Sequence, residues 1–233
     1  MSLIPLPLIE QKVFTFQEIG FDPQFAYFLN ATLTQDKCLC ILENDDTESN
    51  VVIVNLENNG MIMRHEIKTD TAVIHPSLKI LAIIVASTIQ ILELYTKKRL
   101  PFFNLPEGYV VKYWKWTDKD ALAFVAGCAV CHWTLSSQST PISIFPLSEQ
   151  LASGIIINYS VSHDQQWFAV SAICRQNDQT VGIVQFFSRE RNISQGIDNA
   201  FAVSFANVGP LPLLVFATKS QGSMRMNFEK DQN

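Results

Sequence analysis

A period constrains this chain more than any other feature. Apolar anchors at Ile41, Ile83, Phe124, Val170 and Phe216 recur at intervals of 42, 41, 46 and 46 residues. Each lies in a similar frame (KCLCI, KILAI, DALAF, QWFAV and PLLVF), with a small or short residue directly before it. A β-rich stretch precedes every anchor: FLNATL, TAVIHP, VVKYWKW, IINYSV and FAVSF. A second run follows (VVIVNLE, TIQILELY, AVCHWTL, VGIVQFF and MRMNFE), and an outer stretch closes the first four units (MIMRHEI, RLPFFNL, PISIFPL and NISQGI). These runs hold the β-branched and aromatic residues that suit a pleated surface. Turn formers such as those at Asn177-Asp and Gln221-Gly separate them. A repeat of roughly 40–45 residues is what four-stranded propeller blades produce.

The expected fold is therefore all-β, a β-propeller of four-stranded blades. Five units are present and the fifth lacks its outer strand. A β-sandwich with regularly spaced strands is the competing arrangement. No capped amphipathic stretch of a dozen residues signals a long helix. No linker or low-complexity tract interrupts residues 1–233, so they read as a single domain.

Composition narrows the functional classes. With 48% hydrophobic and 17% charged residues, the chain can build a core and does not read as disordered. Its formal net charge of −5 argues against a nucleic-acid surface. The longest nearly uncharged stretch, residues 80–92, is shorter than the roughly 20 residues of a membrane helix and contains Ser87, Thr88 and Gln90. The N-terminus has no basic, apolar leader pattern. Cys38, Cys40, Cys128, Cys131 and Cys174 form an odd set that suits a reducing compartment. A soluble, cytoplasmic protein is the expectation.

Several motifs resemble chemistry. Cys128-Ala-Val-Cys131-His132 spells a haem-attachment pattern, but it falls within an expected hairpin and has no export signal to accompany it. Cys38 and Cys40 with Cys128 and Cys131 could supply four thiolates for zinc, although a whole unit separates the pairs; buried free cysteines are the simpler reading. Ser162-His163-Asp164 contains triad letters, yet three consecutive side chains cannot converge on one atom, and a turn is expected there. The basic run Lys97-Lys98-Arg99 suits a solvated turn or a cationic rim beside an apolar groove.

Ile53-Val-Asn-Leu, Thr71-Ala-Val-Ile-His-Pro76, Thr88-Ile-Gln-Ile-Leu92, Tyr113-Trp-Lys-Trp116, Ile156-Ile-Asn-Tyr159, Gln166-Trp-Phe-Ala-Val170 and Gln185-Phe-Phe-Ser-Arg-Glu-Arg-Asn-Ile-Ser-Gln195 resemble, in order and spacing, the terminal domain of clathrin heavy chains. The resemblance runs from Gly20 to about Phe228. It implies a seven-bladed propeller, of which this chain would be a truncated form, and a peptide-binding role in vesicle coats. Clathrin-box-containing adaptor proteins are the implied partners. Membrane association would be only indirect, through adaptors at the cytoplasmic face of coated pits and vesicles. No enzymatic activity, cofactor, metal or nucleic acid is implied. Trimerisation and light-chain binding are not expected of this segment, which lacks the family's leg repeats.

By the same resemblance, a groove between the first two blades takes the clathrin box. Ile67, Leu81 and Leu92 would form its apolar floor, Thr88 and Gln90 would contact the peptide backbone, and Arg64 or His65, Lys97 and Arg99 would face acidic residues. Leu92 replaces the family's phenylalanine, and His65 stands at an arginine position. A second peptide site maps to Phe28, Ile155, Ile157 and Ile173, with Ile155 replacing a glutamine. A third maps to Trp167, Phe186, Arg191 and Gln195. The alternative function is that of another propeller scaffold with unrelated partners.

Overall fold

The computed structural model describes residues 15–230, except 29, 35–36, 45–48, 58–59, 97–98, 118–120, 136–139, 209–210 and 221–222. Two compact units are present, residues 1–102 and 103–233. The first holds two antiparallel four-stranded sheets. β1 (Ala31–Thr34), β2 (Cys38–Asn44), β3 (Ser49–Asn55) and β4 (Met61–Glu66) lie side by side in chain order. So do β5 (Thr71–Ile74), β6 (Ile80–Val85), β7 (Thr88–Glu93) and β8 (Arg99–Asn104), the last running on into the second unit.

The second unit repeats the plan with β9 (Val111–Trp116), β10 (Ala121–Ala126), β11 (Ala129–Thr134) and β12 (Ile142–Pro146), then β13 (Ile155–Val161), β14 (Trp167–Gln176), β15 (Gln179–Ser188) and β16 (Ile193–Asp198). A sheet of β17 (Ala200–Val208), β18 (Leu211–Ser220) and β19 (Ser223–Lys230) follows, three-stranded among the described residues. The expected blades are thus found, strand for strand.

All five anchors fall on the second strand of their sheet, and all are buried: Ile41, Ile83, Phe124, Val170 and Phe216. The physical reason is position. A second strand has partners on both edges and neighbours on both faces, so its sequence reads as a continuous apolar run rather than an alternation. Every residue of β10 is buried, for example. Within the first unit one core combines Cys40, Leu42, Val51 and Ile53 of one sheet with Ile74, Leu81 and Ile83 of the next. In the second unit, Phe145, Tyr159, Phe168 and Phe187 anchor a core between consecutive sheets.

The only α-helix among the described residues is α1 (Glu149–Ser153), which the sequence pattern did not signal. The hydroxyl of Ser148 accepts the Leu151 amide at 3.4 Å, and Leu151 is buried. Gln185 fastens this corner to its sheet. Its side-chain oxygen accepts from the Ser148 amide at 2.8 Å, while its nitrogen donates to the Pro146 carbonyl at 2.9 Å.

Close backbone approach makes Gly182 of β15 sensitive. A Cβ placed there would lie 2.4 Å from the Ala200 carbonyl oxygen, a backbone atom that cannot swing aside. Gly182→Ala is expected to lower stability by about 1–3 kcal/mol, the usual cost of overfilling a packed site. Urea denaturation checks this; a loss below about 0.5 kcal/mol, the range of an innocuous surface change, would mean the strands separate freely.

Candidate functional site

Strand alternation sorts the residues of β4. Met63 and Ile67 pack on the core shared with β5–β8, whereas Ile62 packs on the opposite face. His65 therefore shares the side of Met63 and Ile67, and Arg64 shares that of Ile62. On β7, Leu92 packs on the same shared core, and Thr88 and Gln90 alternate with the buried Ile89 and Ile91. The end of β4 and the end of β7 enclose a cleft of about 390 Å³, lined by Arg64, His65, Glu66, Ile67, Leu92, Glu93 and Leu94. Four residues expected in a peptide groove, namely Arg64, His65, Ile67 and Leu92, are brought together here.

The others are placed differently. Leu81 pairs with Leu92 across β6 and β7 but has no accessible surface and does not line the cleft. Gln90 and Thr88 lie on Leu92's face of β7, roughly 7 and 13 Å further along the strand. Lys97 lies outside the described residues; Arg99 opens β8, and its side chain is likewise outside the description. Glu66, Glu93 and Leu94 line the cleft without having been anticipated.

The charge of Arg64 is already engaged. Its Nε lies 3.2 Å from Glu43 Oε2, and one Nη donates to the Gly20 carbonyl at 3.1 Å. Glu43 sits on β2, two strands away, so only the register of the folded sheet shows this pairing.

Of the second expected site, Phe28 is an exposed residue of the first unit, while the three isoleucines belong to the second. Ile155 and Ile173 are directly paired across β13 and β14, and Ile155 is exposed. Ile157 sits at a register shift between Ile156 and Asn158. The third set converges on one sheet. The rings of Trp167 and Phe186 stand 6.3 Å apart, tilted by 44°. Gln195 is the cross-strand partner of Phe186, and the Arg191 amide donates to Ser188 Oγ at 3.3 Å in the β15–β16 turn.

The motifs that resembled chemistry take structural roles. Cys128 is exposed in the β10–β11 turn, and Cys131 and His132, adjacent on β11, point to opposite faces. His132 Nε2 lies 2.7 Å from the Tyr159 hydroxyl, and its ring meets Phe168 edge-on at 5.7 Å. Burial, aided by the nearby Arg189 cation, lowers its pKa to about 4. Cys38 and Cys40 are buried in the first unit, and burial pushes the Cys40 thiol up to about 12. Ser162-His163-Asp164 forms the β13–β14 turn: Ser162 Oγ donates to Asp164 Oδ1 at 2.5 Å, and the Gln166 amide donates to the same oxygen at 3.0 Å. Among the described residues no group of three or more His, Cys, Asp or Glu could hold a metal ion. No described helix is long and apolar enough to cross a membrane.

These sheets are blades of the β-propeller class. The β-propeller domain of the Trilobed protease from Pyrococcus furiosus aligns with 87% of this chain and 68% of its own at a TM-score of 0.50, with 11% identity. TolB from Acinetobacter baumannii aligns with 88% of this chain and 54% of its own at 0.51, with 15% identity. No protein-family model matches the chain. Sequence comparison goes further than shape: over most of its length the chain is similar in sequence to clathrin heavy chains, of which it spans about one-seventh. It is 32% identical to clathrin heavy chain 1 of Arabidopsis thaliana over 94% of its length and 14% of that protein's. It is 30% identical to the clathrin heavy chain of Dictyostelium discoideum over 95% of its length, and 28% identical to human clathrin heavy chain 2 over 92%, in each case 13% of the relative.

Proposed function

We propose that this chain is a peptide-recognition module of a clathrin heavy chain, taking clathrin-box segments of adaptor proteins into the cleft between β4 and β7. Through such adaptors it would act in coat formation at the cytoplasmic face of membranes. The observation that supports this reading is the cleft itself, where Ile67 and Leu92 offer apolar surface beside the polar edge of Arg64 and His65. A short extended peptide buries little area and loses conformational entropy on docking. An affinity of roughly −5 to −8 kcal/mol, micromolar or weaker, is the physical expectation.

A labelled clathrin-box peptide titrated against variants tests the proposal. Leu92→Asp is expected to weaken binding at least about tenfold, since it puts a charge on the apolar wall. Leu92→Phe is expected to hold or improve it. Gln90→Ala is expected to weaken it modestly through a lost hydrogen-bonding group, by about 1 kcal/mol. If Trp167→Ala abolishes binding and Leu92→Asp does not, the principal site is the Trp167–Phe186 surface instead. If the unaltered chain binds no peptide, the proposal fails.

A further inference from the structure

Arg64 belongs to two neighbourhoods at once. It lines the β4–β7 cleft beside Ile67 and Leu92, yet its register on β4 sets it opposite Val52, on the face where Ile41, Val52 and Ile62 pack together. Glu43 of β2 pairs with Asn50 of β3, two residues from Val52 and therefore on the same face. The two charges meet diagonally across β3. Arg64 Nε lies 3.2 Å from Glu43 Oε2, and Nη2 donates to Oε1 at 3.5 Å. Each carboxylate oxygen takes one donor of the guanidinium fork, which is how an arginine receives a bidentate carboxylate ligand. The same Nη2 also donates to the Gly20 carbonyl at 3.1 Å. Access to the two partners differs: the Arg64 side chain is 43% exposed and that of Glu43 only 17%. A dissolved carboxylate thus meets a cation that a largely covered, covalently attached carboxylate already holds.

We infer that Glu43 is a specificity-determining residue of this cleft: it competes from within the sheet for Arg64, so the folded chain discriminates against carboxylate-bearing apolar peptides, and removing its charge makes the cleft favour them. This inference rests on the peptide-binding reading above. Being attached to β2, Glu43 acts at an effective concentration that a free peptide does not reach. The pair is nevertheless open to water on the arginine side, and an ion pair so exposed is weak. Its competition therefore changes affinity severalfold, not by orders of magnitude. Glu43 lies outside the cleft lining, so its effect on a ligand passes through Arg64.

The experiment is a titration of a fluorescent clathrin-box peptide against the full chain, Glu43→Gln, Arg64→Gln and the double variant, with circular dichroism recorded for each. Glu43→Gln keeps the shape of the side chain and is expected to tighten binding about two- to fivefold. Glu43→Asp, which draws the carboxylate back by one methylene, should give a smaller gain and serves where Glu43→Gln disturbs the fold. In the Arg64→Gln background Glu43→Gln should bring no gain. A peptide with its carboxylates replaced by amides should bind Glu43→Gln and the unaltered chain alike. Unchanged or weaker binding in folded Glu43→Gln and Glu43→Asp, a gain that persists without Arg64, or an equal gain for the amide peptide overturns the inference while leaving the peptide-binding reading intact. No binding by the unaltered chain or any variant overturns both.

Discussion

Phe168→Ala is expected to cost about 3–5 kcal/mol of folding stability, the range for emptying a fully enclosed aromatic site. Phe168 has no accessible surface. Its ring stacks on Tyr159 at 6.4 Å with a 10° interplanar angle and lies 6.2 Å from both Phe145 and Phe187. His132 approaches at 5.7 Å, and the Arg189 guanidinium covers the ring 4.7 Å from its centroid. These partners come from four strands and the turn after β15, so the surroundings cannot collapse into the void by moving one element. Equilibrium urea denaturation gives the size of the loss. Phe168→Leu, which leaves most of the volume filled, should cost clearly less. If the alanine variant loses under about 1.5 kcal/mol, the site relaxes like a volume-conserving swap and the cluster is not the rigid centre of this core.

Stability is also expected to fall by about 3 kcal/mol as pH drops from near 7 to near 4, through His132. In the folded chain burial comes first, and the Arg189 cation second, in disfavouring the imidazolium, which lowers its pKa to about 4 from an ordinary 6.5. The unfolded chain therefore takes up the proton first as pH falls. The contribution is fully present above the unfolded value and is lost progressively between about 6.5 and 4. Denaturation midpoints across this window provide the measurement. His132→Gln cannot take up that proton and should flatten the slope between pH 6.5 and 5, above the range where most carboxylates titrate. A slope that survives the substitution would assign the acid sensitivity to other groups.

The repeat and its strands were legible in the sequence because their cause is local. A strand enclosed on both faces must be apolar along its length, and five such strands at regular intervals leave a period that needs no tertiary knowledge to see. Ile41, Ile83, Phe124, Val170 and Phe216 occupy the same place in successive sheets for that reason. The relation to clathrin heavy chains was legible too, since collinear motifs survive in order along the chain. Register and burial were not. That Arg64 is spent on Glu43 depends on β2 and β4 flanking the same β3, a fact held in the hydrogen-bonded ladder rather than in spacing. Leu81 reads as a groove residue in the chain and has no accessible surface beside its cross-strand partner Leu92. His132 spells the end of a haem motif and is a core group bonded to Tyr159, 27 residues away. In each case the deciding quantity is which distant side chain a residue meets and how much water it loses in doing so, and only the folded sheets determine both.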